Sequence, residues 1–160
     1  TETHGRDYFF VSKDEFAAMV GRGEFLEHAQ VFDNFYGTAL GQVEASLAGG
    51  QDLILEIDWQ GAQQIRRALP ECRSIFILPP SRQELERRLR GRGTDAEDVI
   101  QRRLRDAATD MTHWSEFDYV VVNDDFEQAL ADLHAIVQGR GEASMRNRPG
   151  LAELAASLTA

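Results

Sequence analysis

Apolar positions along the chain alternate between short, nearly continuous runs and stretches with helical spacing. Three runs, Leu53-Ile54-Leu55-Glu56-Ile57, Ser74-Ile75-Phe76-Ile77-Leu78 and Tyr119-Val120-Val121-Val122, are almost uninterrupted and contain β-branched side chains. Helical sequence separates each from the next, which is the pattern of strands buried on both faces of a parallel sheet. Two earlier runs also read as strands, Tyr8-Phe9-Phe10-Val11 and Phe25 to Phe32, the second followed by the turn-like Asp33-Asn34-Phe35-Tyr36-Gly37.

Helix starts are marked by capping residues. Ser12 with Glu15, Ser81 with Glu84 and Thr94 with Glu97 each form the spacing of a capping box. The first predicts a helix to about Val20, ended by Gly21 and Gly23. Ala39 to Leu47 predicts another, closed by Gly49-Gly50, and Asp124-Asp125 suits the N-terminus of a helix from Phe126 to Val137. Beyond Gly139 the sequence reads as a loose connection, through Pro149-Gly150, to a short amphipathic C-terminal helix. The fold class is α/β. Three core strands are few for a doubly wound sheet, and the chain opens directly on a strand-like run, so further strands are expected ahead of it.

Composition narrows the function classes. The 160 residues are 42% hydrophobic and 28% charged, a globular balance. Seventeen basic against 27 acidic side chains leave a formal charge of −10, whose field repels nucleic acid and anionic membrane alike. Neither is expected as a partner. A single cysteine, Cys72, cannot close an internal disulfide and reads as core, which favours a reducing compartment. No apolar run approaches the roughly 20 residues that span a bilayer, so a cytoplasmic location is expected. His4, His28, His113 and His134 lack ligand-like spacing with each other or with Cys72, and no G-x-S-x-G motif is present.

The arginines change the picture. They make up 16 of the 17 basic residues, and seven fall between Arg87 and Arg105 in an otherwise acidic chain. One reading is a solvated basic helix face. The other is a lid whose guanidinium forks grip a polyphosphate, with Gly91 and Gly93 around Arg92 lending mobility. Glu56 and Asp58 stand at the carboxyl end of a core strand, where open α/β sheets collect ligands. They suit Mg²⁺ coordination, and Asp58 equally suits a helix cap.

Six segments in order carry a resemblance to a known family: Glu24-Phe25-Leu26-Glu27, Asn34-Phe35-Tyr36-Gly37-Thr38, Glu56-Ile57-Asp58-Trp59-Gln60-Gly61, Leu78-Pro79-Pro80-Ser81, Gly91-Arg92-Gly93-Thr94 and Val122-Asn123-Asp124-Asp125. With Glu2-x-x-Gly5-x-x-Tyr8-x-Phe10-Val11 ahead of them, the chain resembles guanylate kinase from about Glu2 to the end of the last main helix. The resemblance implies a P-loop kinase-like parallel sheet flanked by helices, a small GMP-binding subdomain and an arginine-rich lid. It implies one domain over 1–160, with GMP binding in about 1–50, the core in 51–139, the lid near 88–110 and a tail at 140–160.

The implied reaction is phosphoryl transfer from ATP, with Mg²⁺, to GMP or dGMP. By position, Glu27 would accept from the guanine N1–H and exocyclic amine, and Thr38 would meet O6. Tyr8, Tyr36 and Gly37 would contact the GMP side, the tyrosines at its phosphate, and Glu56 and Asp58 would lie between the nucleotides. Arg88, Arg92 and Arg103 would meet ATP phosphates, and Asn123 the adenine. On residue type alone the two tyrosines read as core or rim aromatics.

The resemblance has gaps. No G-x-x-x-x-G-K-[ST] occurs, the only lysine being Lys13 between Ser12 and Asp14, and the T-[ST]-R-x-x-[KR] half-signature is also absent. The expectation is therefore an N-terminally truncated kinase, inactive or nearly so as these 160 residues. Uncovered sheet surface would favour a homo-oligomer. The alternative is a guanylate-kinase-like scaffold domain that binds partner proteins without catalysis.

Overall fold

The computed structural model describes residues 2–31, 33–91, 93 and 96–160. The chain forms two compact units, Thr1–Cys72 and Arg73–Ala160.

In the first unit, helix α1 (Lys13–Gly21) starts where the capping box predicts, with the Ser12 hydroxyl accepting from the Glu15 N–H at 3.1 Å. Strands β1 (Phe25–Val31) and β2 (Asn34–Ala39) pair antiparallel, and α2 (Leu40–Ala48) follows at once. The run 33–37, expected as a turn, is thus mostly strand. Its Asn and Gly signal a break, but the residues from Asn34 on stand in register with β1, Val31 opposite Asn34 and Ala29 opposite Tyr36. The Phe25 ring lies over Gly37, so close that a Cβ there would meet it at 2.7 Å. Helix α3 (Trp59–Ala68) packs against β1, with Asp58 as its N-cap.

Two predicted strands of this unit are not laddered. Residues 3–10 close on themselves: Asp7 Oδ2 accepts from the Thr3 N–H at 2.8 Å, and His4 Nδ1 from the Phe10 N–H at 3.0 Å. These local acceptors take the backbone donors that a strand would give a neighbour. The segment 51–58 has no ladder either, and Ile54 is 79% exposed. Its apolar continuity is a signal for burial on two faces, and pairing needs in addition a neighbouring backbone that no described segment supplies.

In the second unit, β3 (Ile75–Leu78) and β4 (Tyr119–Val122) pair in parallel, Ile75 beside Tyr119 and Leu78 beside Val122. The crossover runs through α4 (Arg82–Gly91) and α5 (Glu97–Met111), and α6 (Phe126–Val137) follows β4. Successive residues of β4 are buried on opposite faces, as in a sheet covered on both sides. Val120 packs with Leu78, Met111, Leu151 and Leu158, and Val121 with Ala129 and Ile136. The α/β class holds.

Caps again mark the helix starts. Ser81 Oγ accepts from the Glu84 N–H at 3.1 Å, and Asp125 Oδ1 from the Gln128 N–H at 2.8 Å. For α5 the N-cap is Ala96, with no side-chain cap, while the carboxylate of Glu97 is engaged by Arg90. The expected cap Thr94 lies outside the described residues, as do Arg92 and the last residue of the predicted run 25–32. The C-terminal segment is not loose. Met145 bridges to Tyr119, Arg148 donates to the Val120 carbonyl, and α7 (Leu151–Thr159) buries Leu151, Ala155 and Leu158. Its apolar stripe completes one face of the β3–β4 pair.

Candidate functional site

In the first unit, the site is built around a buried carboxylate. Along β1, Glu27 and Ala29 point inward, and Glu27 is only 4% exposed. The register slips between Phe25 and Glu27, so a bulge immediately precedes the acid; such bulges re-aim the side chains beside them. Directly across the ladder stands Thr38, whose hydroxyl donates to Glu27 Oε1 at 2.6 Å. A carboxylate taken out of water needs such partners. Burial pushes the Glu27 carboxyl above its ordinary value. The Thr38 hydroxyl opposes that shift, nearby Asp58 adds to it, and His28 and the Thr38 backbone pull back down.

Helix α3 closes the other side. Asp58 accepts from the Gly61 N–H at 2.9 Å with one oxygen and from Gln60 Nε2 at 2.8 Å with the other. Gly61 then faces Glu27 so closely that a Cβ would lie 2.5 Å from Oε2. Any side chain at this position would displace the acid. The helix is also stitched to the edge of β1 away from β2. The Gln64 carboxamide accepts from the His28 N–H at 3.0 Å and donates to the His28 carbonyl at 2.7 Å. Gln60 donates to the Gln30 carbonyl at 3.3 Å.

Tyr8 and Tyr36 come together with ring centroids 5.9 Å apart, and both are part-exposed, at 46% and 40%. Partial burial, then Glu2, Tyr36, Glu56 and Asp7, push the Tyr8 phenol up, so it remains a hydrogen-bond donor at neutral pH. Glu56 is exposed, Asp58 and Thr38 are half-buried, and Gly37 lies on β2 beneath Phe25. Of the acceptor-side residues named from sequence, Glu27, Thr38 and Asp58 form one cluster, and Tyr8 and Tyr36 a pair. Gly61 and Gln64 were given no role by the sequence reading. Their signal was the placement of Gln60, Gly61 and Gln64 on one helical face.

In the second unit, Arg87, Arg88 and Arg90 of α4 are held by glutamates of the same region. Arg87 makes two bonds of 2.7 Å to Glu84, and Arg90 engages Glu86 and Glu97. Arg88 donates to Glu84 Oε1 at 2.6 Å and to the carbonyls of Asn123 at 2.7 Å and Asp124 at 3.2 Å. Its guanidinium therefore sits at the carboxyl end of β4, where the Asn123 N–H continues the ladder to Leu78. Arg87, then Arg88, hold the Glu84 carboxyl down at about 2. Arg103 is half-buried on α5. Arg92 lies outside the described residues. No cluster of three His, Cys, Asp or Glu side chains that could hold a metal occurs among the described residues, and none of the described helices is long and apolar enough to cross a membrane.

Comparison with known proteins bears out the resemblance. The guanylate kinase family model matches residues 1–140. The chain is 57% identical over 137 residues to a guanylate kinase of Photorhabdus laumondii, and 58% identical over 137 residues to one of Escherichia coli K12. Each match covers 86% of this chain, and the chain spans 66% of the length of those relatives. Among solved structures, it superposes on the crystal structure of guanylate kinase from Anaplasma phagocytophilum with a TM-score of 0.71 and 37% identity. That match covers 96% of this chain and 74% of the other.

Proposed function

The chain belongs to the guanylate kinase family, and on that footing we propose that it serves a cytoplasmic enzyme that moves the terminal phosphoryl group of ATP to GMP, giving ADP and GDP. The observation that carries this reading is Glu27, a buried carboxylate hydrogen-bonded to Thr38 and packed against Gly61.

Guanine presents two adjacent donors, N1–H and the exocyclic amine, and a carboxylate offers two acceptors at matching spacing. Adenine presents an acceptor at N1, so a buried carboxylate facing it is left unpaired, which is how a polar site rejects a wrong base. Thr38 has one hydroxyl proton, now given to Glu27. Guanine O6 accepts only, so on binding the Thr38 hydroxyl turns its hydrogen bond from Glu27 to O6 while the guanine N–H groups replace it on the acid. Thr38 thus satisfies the carboxylate in the free protein and reads O6 in the complex. Tyr8 and Tyr36 donate to the acceptor phosphate, with Gly37 beside them and Glu56 at the acceptor side.

On the donor side, in the second unit, Arg88, Arg92 and Arg103 meet ATP phosphates, Asn123 meets adenine, and Arg92 and Arg103 offset charge on the transferring group; in the first unit, Asp58 is the acidic catalytic group. Both oxygens of Asp58 are already engaged by α3. Such a donor set fits an Mg²⁺ that arrives on ATP and keeps phosphate and water ligands rather than a protein cage. When bound, the ion neutralises charge on the phosphates.

The test is an NMR titration of the chain with GMP against AMP. GMP-selective shifts at Glu27, Thr38 and Tyr36 are expected, and Glu27→Gln should weaken GMP by about 10–100-fold, the loss of one or two charge-assisted hydrogen bonds. A well-dispersed spectrum without GMP selectivity would overturn the proposal in favour of a scaffold.

A further inference from the structure

We infer that Gln64 is a positioning residue for guanine recognition, acting through the peptide group of His28 to hold the Glu27 carboxylate. The inference rests on the reading of Glu27 given above and extends it to a side chain that touches no substrate.

Among the described residues, the strand paired with β1 is β2, along one edge. On its other edge the backbone groups of His28 and Gln30 point toward α3. A second strand would satisfy them with peptide groups. Here a side-chain amide does so, because a glutamine carboxamide carries the same donor and acceptor as a peptide. Gln64 takes both groups of His28, at 3.0 and 2.7 Å, and Gln60, one turn earlier, takes the carbonyl of Gln30 at 3.3 Å. Gln64 Nε2 also lies 3.4 Å from the Gln60 carbonyl, which ties the two together.

The consequence falls on Glu27. The N–H that Gln64 holds belongs to the peptide joining Glu27 to His28, so the bond fixes the backbone of the acid. It also fixes how far α3 slides along β1, and that register brings Gly61 against Glu27 Oε2. The bulge before Glu27 makes this necessary, since the ladder to β2 is interrupted just where the acid must be aimed. Both glutamines are half-buried, and α3 carries its buried residues Gly61, Ala62 and Ile65 in the same turns.

The experiment uses the full 160-residue chain, labelled with ¹³C, as wild type, Gln64→Met and Gln64→Glu. Methionine keeps the volume without either bond, and glutamate turns the donor to the His28 carbonyl into a repelling acceptor. Both variants are expected to move the Glu27 Cδ resonance and its titration midpoint in the free protein. Both should also lower GMP preference over IMP, which lacks the exocyclic amine, by about tenfold, equivalent to roughly 1.4 kcal/mol. A merely structural role would weaken both nucleotides equally and, in Gln64→Met, leave Glu27 Cδ unmoved, and that result overturns the inference. Should Gln64→Met lose its dispersed spectrum, Gln64→Glu decides by the GMP-over-IMP preference, since its added charge shifts the titration of Glu27 by itself. If the wild type shows no GMP selectivity, the reading of Glu27 fails by itself, while Cδ of Glu27 still decides whether Gln64 holds it.

Discussion

At the scale of single residues, Glu27 sets folding and recognition against each other. Its carboxyl lies above the ordinary value chiefly because it is buried. A group raised in the folded state favours folding most below its unfolded pKa, and that contribution is lost as pH rises through the folded value. The proposed recognition of guanine has the opposite sign, since only the ionised form would accept two N–H groups. Two measurements separate these effects. In thermal melts, Glu27→Gln should be more stable than wild type at pH 7, with the difference shrinking towards pH 4 as the wild-type acid becomes neutral. In titrations, wild-type GMP affinity should fall more steeply than that of the variant as pH is lowered through the raised value, the variant showing only the effect of protonating the nucleotide phosphate, whose second pKa is about 6. Equal melting points at both pH values would mean that Glu27 carries no burial penalty. The Thr38 hydroxyl limits that penalty without cancelling it.

At the scale of elements, α7 belongs to the core of the second unit although the family match ends at residue 140. Leu158 is fully buried against Leu78, Val120 and Met111. Leu158→Ala should therefore cost about 2–5 kcal/mol, the range for large-to-small core changes, readable by urea denaturation. Glu153→Ala, on the same helix but outside that cluster, should change stability by no more than about 0.5 kcal/mol. The elements also show what could be read from the chain directly. Ser12, Ser81 and Asp125 announced their helices because a cap is local, complete within four residues. The runs at 75–78 and 119–122 became strands because each supplies the other's ladder. The runs at 8–11 and 53–57 carried the same apolar signal, but among the described residues neither forms a ladder with a second strand, and no local pattern encodes that. At the candidate site, Glu27 and Thr38 are named through family resemblance and not through residue type, since a glutamate in a strand is ordinarily solvent-facing. Gln64 was not, because its role depends on an edge of β1 that exists only once the hairpin forms.

At the scale of the whole molecule, the proposed binding of GMP and its turnover make separate demands. The cluster proposed for the acceptor base, Glu27, Thr38 and Gly61, lies within residues 1–72. The catalytic demands reach further. Phosphoryl transfer rests almost wholly on positioning and electrostatic stabilisation of the transferring group. In P-loop enzymes much of that comes from a G-x-x-x-x-G-K-[ST] segment, whose backbone amides and lysine surround the donor phosphates. The 160 residues contain no such segment, and their one lysine, Lys13, opens α1. They also lack the basic pair of the T-[ST]-R-x-x-[KR] signature. Two missing charge-assisted hydrogen bonds, at roughly 1.5–3 kcal/mol each, weaken GMP by about 10²–10⁴-fold. These 160 residues should therefore bind GMP weakly, in preference to AMP, and turn it over little or not at all. A coupled assay with ATP, Mg²⁺ and GMP near millimolar levels, run beside the NMR titration on the same sample, measures both quantities. Selective shifts without ADP formation are the expected result. Ordinary turnover would mean that residues within these 160 cradle the donor phosphates without a P-loop, and the arginines of α4 and α5 would then be the first to substitute.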